Sequence, residues 1–256
     1  VSGGEKPVRS QSLEQVAARL KNICEHGIRD VRVLDRTFNY DIARACAMLD
    51  LFVQYAGKMR FHLEIHPSLL TDALKAKLTE LPEGLLHLEA GIQSLDSGVL
   101  AASGRKGSLQ SSLDGLKYLA SLPNVEVHAD LIAGLPEYSL GMLYDDIIRL
   151  VEIGVDELQI ESLKVLPGTK MRDCADSLGI KFSPLPPYEV LKTPVMTPSE
   201  LRTAMQLSRT IDLYYNSEAW QKVFRVLVCS YVDFLPAFTR HLKEMMVLDS
   251  PVSLER

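Results

Sequence analysis

Three short segments of this sequence repeat one arrangement of residues that could supply ligands to a metal ion. Each contains a histidine, an apolar residue and a carboxylate, at His62-Leu63-Glu64, His87-Leu88-Glu89 and His128-Ala129-Asp130. Imidazole nitrogens and carboxylate oxygens are common ligands of zinc and manganese. A fourth segment, Glu157-Leu158-Gln159-Ile160-Glu161, continues the alternation without a histidine. The spacing therefore places polar groups with ligand chemistry on several consecutive segments.

The same alternation indicates the elements that carry these residues. Successive side chains of a β-strand point to opposite faces, so each segment has one apolar face and one polar face. Ordinary parallel sheets are apolar on both faces. An ionisable face that recurs in strand after strand predicts a curved parallel sheet with helices outside and a polar interior. We expect one cavity to be faced by His62, Glu64, His87, Glu89, His128, Asp130, Gln159 and Glu161.

The order of elements along the chain is β/α. The pattern predicts helices over about 12–27, 40–56, 69–79, 108–121 and 139–153, the third of them capped by Ser68. They alternate with predicted strands at 31–35, 60–65, 86–90, 125–132 and 157–163. Residues 1–180 are expected to form a partial parallel β/α (TIM-like) barrel in the α/β class. Residues 181–256 are expected to form an irregular linker and a C-terminal appendage, with helices over about 199–215 and 218–246.

Composition narrows the class of protein. The net charge of −5 and the isoelectric point of about 5.7 argue against a nucleic-acid partner, because no basic stripe is present. No run of 18 or more apolar residues occurs, so no membrane partner is expected. The four cysteines are far apart and form no CxxC pair, which is typical of reduced thiols in a cytoplasmic protein.

Ligands of β/α barrels bind at the C-terminal ends of the strands, and four motifs occur there. They are EAGIQS at 89–94 with the loop GRKG at 104–107, HADLIAGLP at 128–136, LPGT at 166–169, and DRTFN at 35–39. In this order and spacing they resemble the radical S-adenosylmethionine superfamily. The first three resemble its fourth-strand signature, its fifth-strand adenine-binding motif and its sixth strand end. DRTFN is similar to the anaerobic cyclase-like subgroup, whose members often carry an upstream cobalamin-binding domain.

The resemblance implies a reaction, its cofactors and its partners. In this superfamily a four-iron four-sulfur (4Fe-4S) cluster injects an electron into S-adenosylmethionine. Reductive cleavage then yields a 5′-deoxyadenosyl radical, which abstracts a hydrogen atom from the substrate. The metal and the cofactor supply the chemistry, while the protein orients them and excludes water. The expected partners are a small-molecule substrate and a reductant such as flavodoxin or ferredoxin, and cobalamin is a further candidate cofactor on an upstream domain.

The resemblance also implies which residues bind S-adenosylmethionine. Glu64 matches a carboxylate that contacts the cofactor in related members of the porphyrin pathway. Three polar residues match positions that hold its ribose and methionine parts: Gln93, Arg105 and Asp130. Three further residues match contacts near the adenine or at the sixth strand end: Ile132, Gly134 and Leu166. Thr37 lies where relatives place a glycine-rich segment. No residue is assigned to catalysis or to a metal.

One departure from the superfamily pattern is large. The cluster ligands follow the pattern Cys-x-x-x-Cys-x-x-Cys, and Cys24, Cys46, Cys174 and Cys229 do not supply that spacing. The opening segment, residues 1–9, is similar to the segment that directly follows the third cysteine. The resemblance therefore implies that the first strand and the cluster ligands precede this chain, and a natural paralogue that has lost them is the alternative. We expect the chain as given to be colourless, inert towards S-adenosylmethionine and open at the first edge of its barrel.

Two other functions are compatible with the same residues. The histidine and carboxylate pattern could belong to a metal-dependent hydrolase or isomerase on a β/α barrel, with zinc or manganese bound. A degenerate barrel that binds a ligand or a partner without turnover is the non-catalytic alternative. Neither alternative accounts for the GIQS and GLP motifs in their observed order.

Overall fold

The computed structural model describes residues 10–105 and 107–248. Two parts of the sequence that carry the resemblance lie outside the described residues. They are the segment 1–9, which is similar to the segment after the third cluster cysteine of the superfamily, and Lys106 of the GRKG loop. A five-stranded sheet contains β1 (Asp30–Arg32), β2 (Arg60–Ile65), β3 (Leu86–Gln93), β4 (Val125–Ala133) and β5 (Glu157–Ser162), in the order β1-β2-β3-β4-β5. The first three strands pair in parallel, and His62 is in register with His87. The predicted fold class, a partial parallel β/α (TIM-like) barrel, is confirmed.

The helices follow the strands as the alternation predicts. Those of the β/α region are α1 (Leu13–Glu25), α2 (Ile42–Val53), α3 (Asp72–Thr79), α4 (Ser97–Ala102), α5 (Leu109–Ala120), α6 (Leu140–Ile153) and α7 (Lys170–Asp173). After these come an antiparallel hairpin of β6 (Lys181–Phe182) and β7 (Val190–Lys192), then α8 (Pro198–Thr210), a π-helical segment at Ile211–Tyr215, α9 (Gln221–Ser230) and α10 (Phe234–Glu244). No helix among the described residues is long and apolar enough to span a membrane.

Three sequence-based expectations are wrong in detail. Ser68 does not cap α3; it lies in a short 3₁₀ turn at Pro67–Leu69, and Thr71 caps the helix by accepting a hydrogen bond from the Leu74 N–H. The single helix predicted over 218–246 is two helices, because Tyr231 has an extended backbone that ends α9. No helix was predicted between the strand at 86–90 and the helix over 108–121, but α4 lies there and is capped by Asp96.

The chain comprises two compact units. Among the described residues, the histidine unit consists of residues 10–91 and 107–129, and the motif unit consists of residues 92–105 and 130–248. The histidine unit contains all of β2, most of β3 and three of the histidines of the repeated pattern. The motif unit contains the end of β3, the end of β4 and everything that follows. The expected division into a barrel domain, residues 1–180, and a C-terminal appendage, residues 181–256, stays a prediction.

Burial follows the predicted alternation in the strands. In β2, Phe61, Leu63 and Ile65 are buried, whereas His62 and Glu64 are half-buried. The histidine unit packs this apolar face against α2, where the ring of Phe52 stacks on that of Phe61 with centroids 4.0 Å apart. The sequence pattern therefore determines which face of each strand carries the polar groups.

In the motif unit, the helices after the hairpin attach to β5 through side-chain hydrogen bonds. The Asn216 side chain accepts from the Leu158 N–H and donates to the Leu158 carbonyl, both at 2.9 Å. The Ser208 hydroxyl donates to the Ile160 carbonyl at 2.9 Å. Beyond β5, the Val190 N–H donates to the Leu163 carbonyl at 2.9 Å, so β7 runs beside the strand end. The elements after residue 180 thus pack on the strand end that precedes the LPGT motif.

Candidate functional site

Three histidines of the repeated pattern lie together in the histidine unit. The Nδ1 atoms of His62 and His87 are 3.3 Å apart, and the rings of His87 and His128 stack with centroids 5.7 Å apart. Their Cα atoms lie on neighbouring strands, and the period of two puts the three rings on one face. The sequence pattern therefore predicts their proximity, and β2 and β3 pair with His62 level with His87. The wider expectation of one cavity that also includes Gln159 and Glu161 stays a prediction.

A carboxylate and a guanidinium complete this cluster. The Glu89 Oε2 atom is 2.6 Å from His62 Nε2 and accepts a hydrogen bond from Arg32 Nη2 at 3.1 Å. Arg32, the last residue of β1, was not predicted as a site residue. A cavity of about 390 Å³ adjoins the cluster and is lined by Arg32, Val33, Leu34, Asp35, Arg36, His62, Glu64 and Glu89. Glu64, a predicted cofactor contact, thus faces a polar cavity of the histidine unit.

Thr37 of the DRTFN motif directly follows Arg36, which lines this cavity. Its hydroxyl donates to the Arg36 carbonyl at 2.7 Å, which is a local bond within the turn. Its predicted contact with the amino group of S-adenosylmethionine stays a prediction.

The environment of His87 disfavours its charged form. Burial, followed by the neighbouring His62, Arg60 and His128, lowers the pKa of His87 from 6.5 to about 4, and Glu89 opposes the shift. A buried imidazolium lacks the hydration that stabilises its charge in water, and nearby cations add repulsion. His87 is therefore neutral at neutral pH.

This shift predicts a pH-dependent stability. Below pH 6.5 the unfolded chain binds a proton that folded His87 does not bind, so the free energy of unfolding falls as the pH drops from 6.5 to 4. Because His87 is only half-buried, solvent screening reduces the loss to about 1–2 kcal/mol. Urea unfolding of wild type and His87→Gln at several pH values measures the effect.

The His87→Gln chain is expected to show a flatter dependence over this window. His241→Gln, at an exposed position of α10, is the matched control and should retain the wild-type slope. Equal slopes for His87→Gln and wild type would show that His87 does not carry the pH dependence.

In the motif unit, the end of β3 has an unusual backbone. Gln93 has a φ of 70°, in the left-handed region that non-glycine residues rarely adopt. Arg105 donates from Nη1 to the Ile92 carbonyl at 3.2 Å, so these two predicted cofactor residues, Gln93 and Arg105, lie at the same strand end. Strained conformations of this kind persist where the surroundings over-determine them and are concentrated at functional sites.

The end of β4 carries three more predicted residues of the motif unit. Asp130 and Ile132 are half-buried and alternate with buried Leu131 and Ala133. Gly134 has a φ of 87°, and a Cβ atom built there would lie 2.6 Å from the Cγ1 atom of Val190. The glycine is thus required by the turn and by β7, in addition to its predicted approach to the adenine. Leu166, predicted at the sixth strand end, is 47% exposed.

Sequence reasoning missed a buried polar cluster beside these residues. Asp146 of α6 is 7% exposed and accepts hydrogen bonds from the Ser94 hydroxyl and the Tyr138 hydroxyl, at 3.0 and 2.6 Å. Burial raises the pKa of Asp146, and these hydrogen bonds oppose the shift. A signal was present, because Asp146 occupies the apolar stripe that Leu143, Ile147 and Leu150 define at helical spacing.

The cysteines do not fit an iron–sulfur cluster. Cys24 and Cys46 lie on α1 and α2 of the histidine unit, and Cys174 and Cys229 lie on the exposed surface of the motif unit. No three of them come together among the described residues. A 4Fe-4S cluster requires thiolate ligands. The described cysteines therefore do not fit the ligand set of such a cluster.

Comparison with known proteins agrees with the fold. Residues 2–151, more than half of the chain, match the Radical SAM superfamily. The chain therefore belongs to the radical SAM superfamily, a class of enzymes that use S-adenosylmethionine and a 4Fe-4S cluster. Residues 176–244 match a second family, described as a protein of unknown function (DUF4080). The predicted superfamily is confirmed.

Curated relatives cover the same region at low identity. The chain is 23% identical to the tRNA-2-methylthio-N(6)-dimethylallyladenosine synthase of Herpetosiphon aurantiacus over 175 residues, 64% of this chain and 40% of that protein. It is 28% identical to the synthase of the same name from Alkalilimnicola ehrlichii over 183 residues, 66% of this chain and 40% of that protein. The chain thus spans about 40% of the length of these relatives.

Solved structures share the fold. The radical S-adenosylmethionine methyltransferase TsrM from Kitasatospora setae, with tryptophan substrate and a SAM analogue bound, aligns with a TM-score of 0.57 at 14% identity, over 75% of this chain and 38% of that one. A second structure of TsrM contains cobalamin and a [4Fe-4S] cluster. Streptococcus suis SuiB bound to the precursor peptide SuiA aligns with a TM-score of 0.54 at 12% identity, over 65% of this chain and 36% of that one.

Proposed function

We propose that this chain provides the S-adenosylmethionine-binding part of a radical SAM enzyme that acts on a small molecule. The observation that carries the proposal is the left-handed backbone of Gln93 at the end of β3, in the motif that resembles the fourth-strand signature of the superfamily. The Arg105 guanidinium bonded to the neighbouring Ile92 carbonyl supports it, because that contact holds a second polar side chain at the same strand end.

Each motif residue has a proposed role in binding the cofactor. Gln93, Arg105 and Asp130 offer an amide, a guanidinium and a carboxylate that suit the ribose hydroxyls and the methionine part. Ile132 and Gly134 supply the backbone stretch against the adenine, and Leu166 a contact from the sixth strand end. Thr37 and Glu64 belong to the histidine unit, and their contacts stay predictions from the resemblance.

The complete reaction is a wider proposal. It comprises reductive cleavage of S-adenosylmethionine and hydrogen abstraction from the substrate, with flavodoxin or ferredoxin as the reductant and cobalamin as a further candidate cofactor. Because the chain's own cysteines do not fit the cluster, we assign no step of this reaction to them. The contribution proposed for the described residues is to bind and orient the adenosine part of the cofactor.

A small-molecule substrate of the anaerobic cyclase-like type is favoured over a nucleic acid. The net charge of −5 supports this choice, because binding of tRNA depends on clustered lysine and arginine. The curated relatives are named as tRNA-modifying synthases, but their identity to this chain is 23–28%. Binding of tRNA by the purified chain would reverse the preference.

Weak cofactor binding is the expected result for the chain alone. Without chelation by iron, a few hydrogen bonds of about 0.5–1.5 kcal/mol each remain, together with burial of the adenine. We expect a dissociation constant for S-adenosylhomocysteine of about 1 mM, roughly −4 kcal/mol. Gln93→Ala and Asp130→Ala should each raise it about tenfold, equivalent to about 1.4 kcal/mol, in a ligand-observed NMR titration.

Two exposed residues of α5 provide matched controls. Gln110→Ala and Asp114→Ala remove the same functional groups from a pair joined by a hydrogen bond of 2.8 Å, and should leave binding unchanged. If neither Gln93→Ala nor Asp130→Ala weakens binding, these two residues are structural. If the wild-type chain shows no binding of S-adenosylhomocysteine at about 10 mM, ten times the expected dissociation constant, the proposed function is wrong.

A further inference from the structure

One buried carboxylate joins the end of the EAGIQS motif to the segment that follows the GLP sequence. The Oδ2 atom of Asp146 accepts three hydrogen bonds, from the Ser94 hydroxyl at 3.0 Å, the Leu95 N–H at 2.8 Å and the Tyr138 hydroxyl at 2.6 Å. Ser94 and Leu95 directly follow Gln93, and Tyr138 lies two residues after the GLP sequence. Asp146 itself belongs to α6 and to none of the motifs.

The same cluster extends into the helix after β3. The Ser94 hydroxyl accepts from the Asp96 N–H at 3.1 Å, and the Asp96 carboxylate caps α4 by accepting from the Val99 N–H at 2.9 Å. Every residue from Ser94 to Asp96 is therefore bonded to Asp146 or to a group that Asp146 holds. This leaves the chain little freedom immediately after Gln93.

That constraint accounts for the conformation of Gln93. A non-glycine residue at a φ of 70° is disfavoured, and it persists only where its neighbours are fixed. On one side, Ile92 is held in β3 and by Arg105. On the other side, Ser94 and Leu95 are held by one buried carboxylate oxygen, and hydrogen bonds in such surroundings are stronger than hydrogen bonds in water.

We infer that Asp146, with Tyr138, is a positioning residue that holds the Gln93 end of β3 in its left-handed conformation for binding of the cofactor. The inference rests on the proposed function for its link to S-adenosylmethionine. Asp146 does not contact the cofactor in this scheme. It acts through Ser94 and Leu95 on Gln93, and through Tyr138 on the segment after Gly134.

The test compares two neighbouring aspartates of the same helix. Asp146→Asn replaces the carboxylate by an amide, whose oxygen is a weaker acceptor for the three hydrogen bonds, and Asp145→Asn makes the same change at an exposed position of α6. Tyr138→Phe removes one donor and keeps the ring, so it serves as a milder second variant. Hydrogen exchange by mass spectrometry is measured over residues 92–97, with residues 61–65 of β2 as an internal reference. S-adenosylhomocysteine binding is measured by the same NMR titration, at a temperature where each variant is fully folded.

We expect Asp146→Asn to accelerate exchange over 92–97 about tenfold and to raise the dissociation constant about tenfold, a change of about 1.4 kcal/mol. Tyr138→Phe should show smaller changes in the same direction, and Asp145→Asn none. Unchanged exchange over 92–97 in Asp146→Asn would overturn the inference. Faster exchange with unchanged affinity would also overturn it, because the role would then be structural alone. Failure of wild type to bind would refute the proposed function and the link to the cofactor, whereas the exchange result would still decide whether Asp146 holds the strand end.

Discussion

Gly115→Ala is expected to lower the free energy of unfolding by about 3 kcal/mol, because added atoms in a closely packed site force the backbone apart. Gly115 is buried on α5 in the histidine unit, and a Cβ atom built there would lie 2.1 Å from the carbonyl oxygen of Pro67 and 2.7 Å from its carbonyl carbon. Both atoms belong to the backbone of the turn after β2. A side-chain rotation cannot relieve the overlap, so α5 or the turn must move. Urea denaturation of the purified variant measures the loss.

Gly141→Ala is the matched control for this substitution. Gly141 also lies in a helix, α6, but the nearest atom to the methyl group that alanine would add is Ser139 Oγ, at 3.9 Å. Since alanine favours a helix over glycine, we expect Gly141→Ala to be neutral or to stabilise by up to about 1 kcal/mol. Similar small effects for both variants would show that α5 does not pack closely on the turn after β2.

Gly134→Ala is expected to cost about 3 kcal/mol, from two separate causes. Its φ of 87° is unfavourable for alanine, and its Cβ atom would approach Val190 Cγ1 to 2.6 Å and Leu201 Cδ2 to 3.2 Å. Gly84→Ala isolates the cost of the backbone conformation. Gly84 has a φ of 73°, and no atom lies within 4 Å of the position that an alanine Cβ would take. We expect about 1 kcal/mol for that control.

A second substitution isolates the contact with β7. In a Gly134→Ala chain, Val190→Ala removes the side chain that the new methyl group meets, so the pair should cost less than the sum of the single effects by about 1 kcal/mol or more. Strict additivity would contradict the packing of β7 on the GLP loop. Confirmation would show that the segment after residue 180 shapes the loop proposed to contact the adenine.

The strands and their polar face were predicted well from the sequence, because both depend on local period. The predicted strand at 60–65 coincides with Arg60–Ile65, and the predicted end at 132 lies one residue from the end of β4. The apolar residues of the alternating pattern are buried in β2 to β5, since a period of two is fully determined by residue order. Helix ends were less accurate. Ser68 and Thr71 are both residue types that cap helices, and the path of the turn after β2 selects Thr71.

The cofactor-binding residues stay a prediction, and the contacts around them were not predicted, for a related reason. The motifs predicted the superfamily, which is confirmed, and led to the proposal of Gln93 and Gly134, because those features are contiguous in sequence. The sequence did not indicate that Gln93 is left-handed or that Asp146, 53 positions later, holds the residues after it. Nor did it show that Val190 covers Gly134. The sequence by itself thus determined the alternation, the motifs and the absence of a cysteine triad. Only the tertiary structure decided the hydrogen-bond partners and close contacts, because these join residues that are far apart along the chain and meet only when the strands and helices pack.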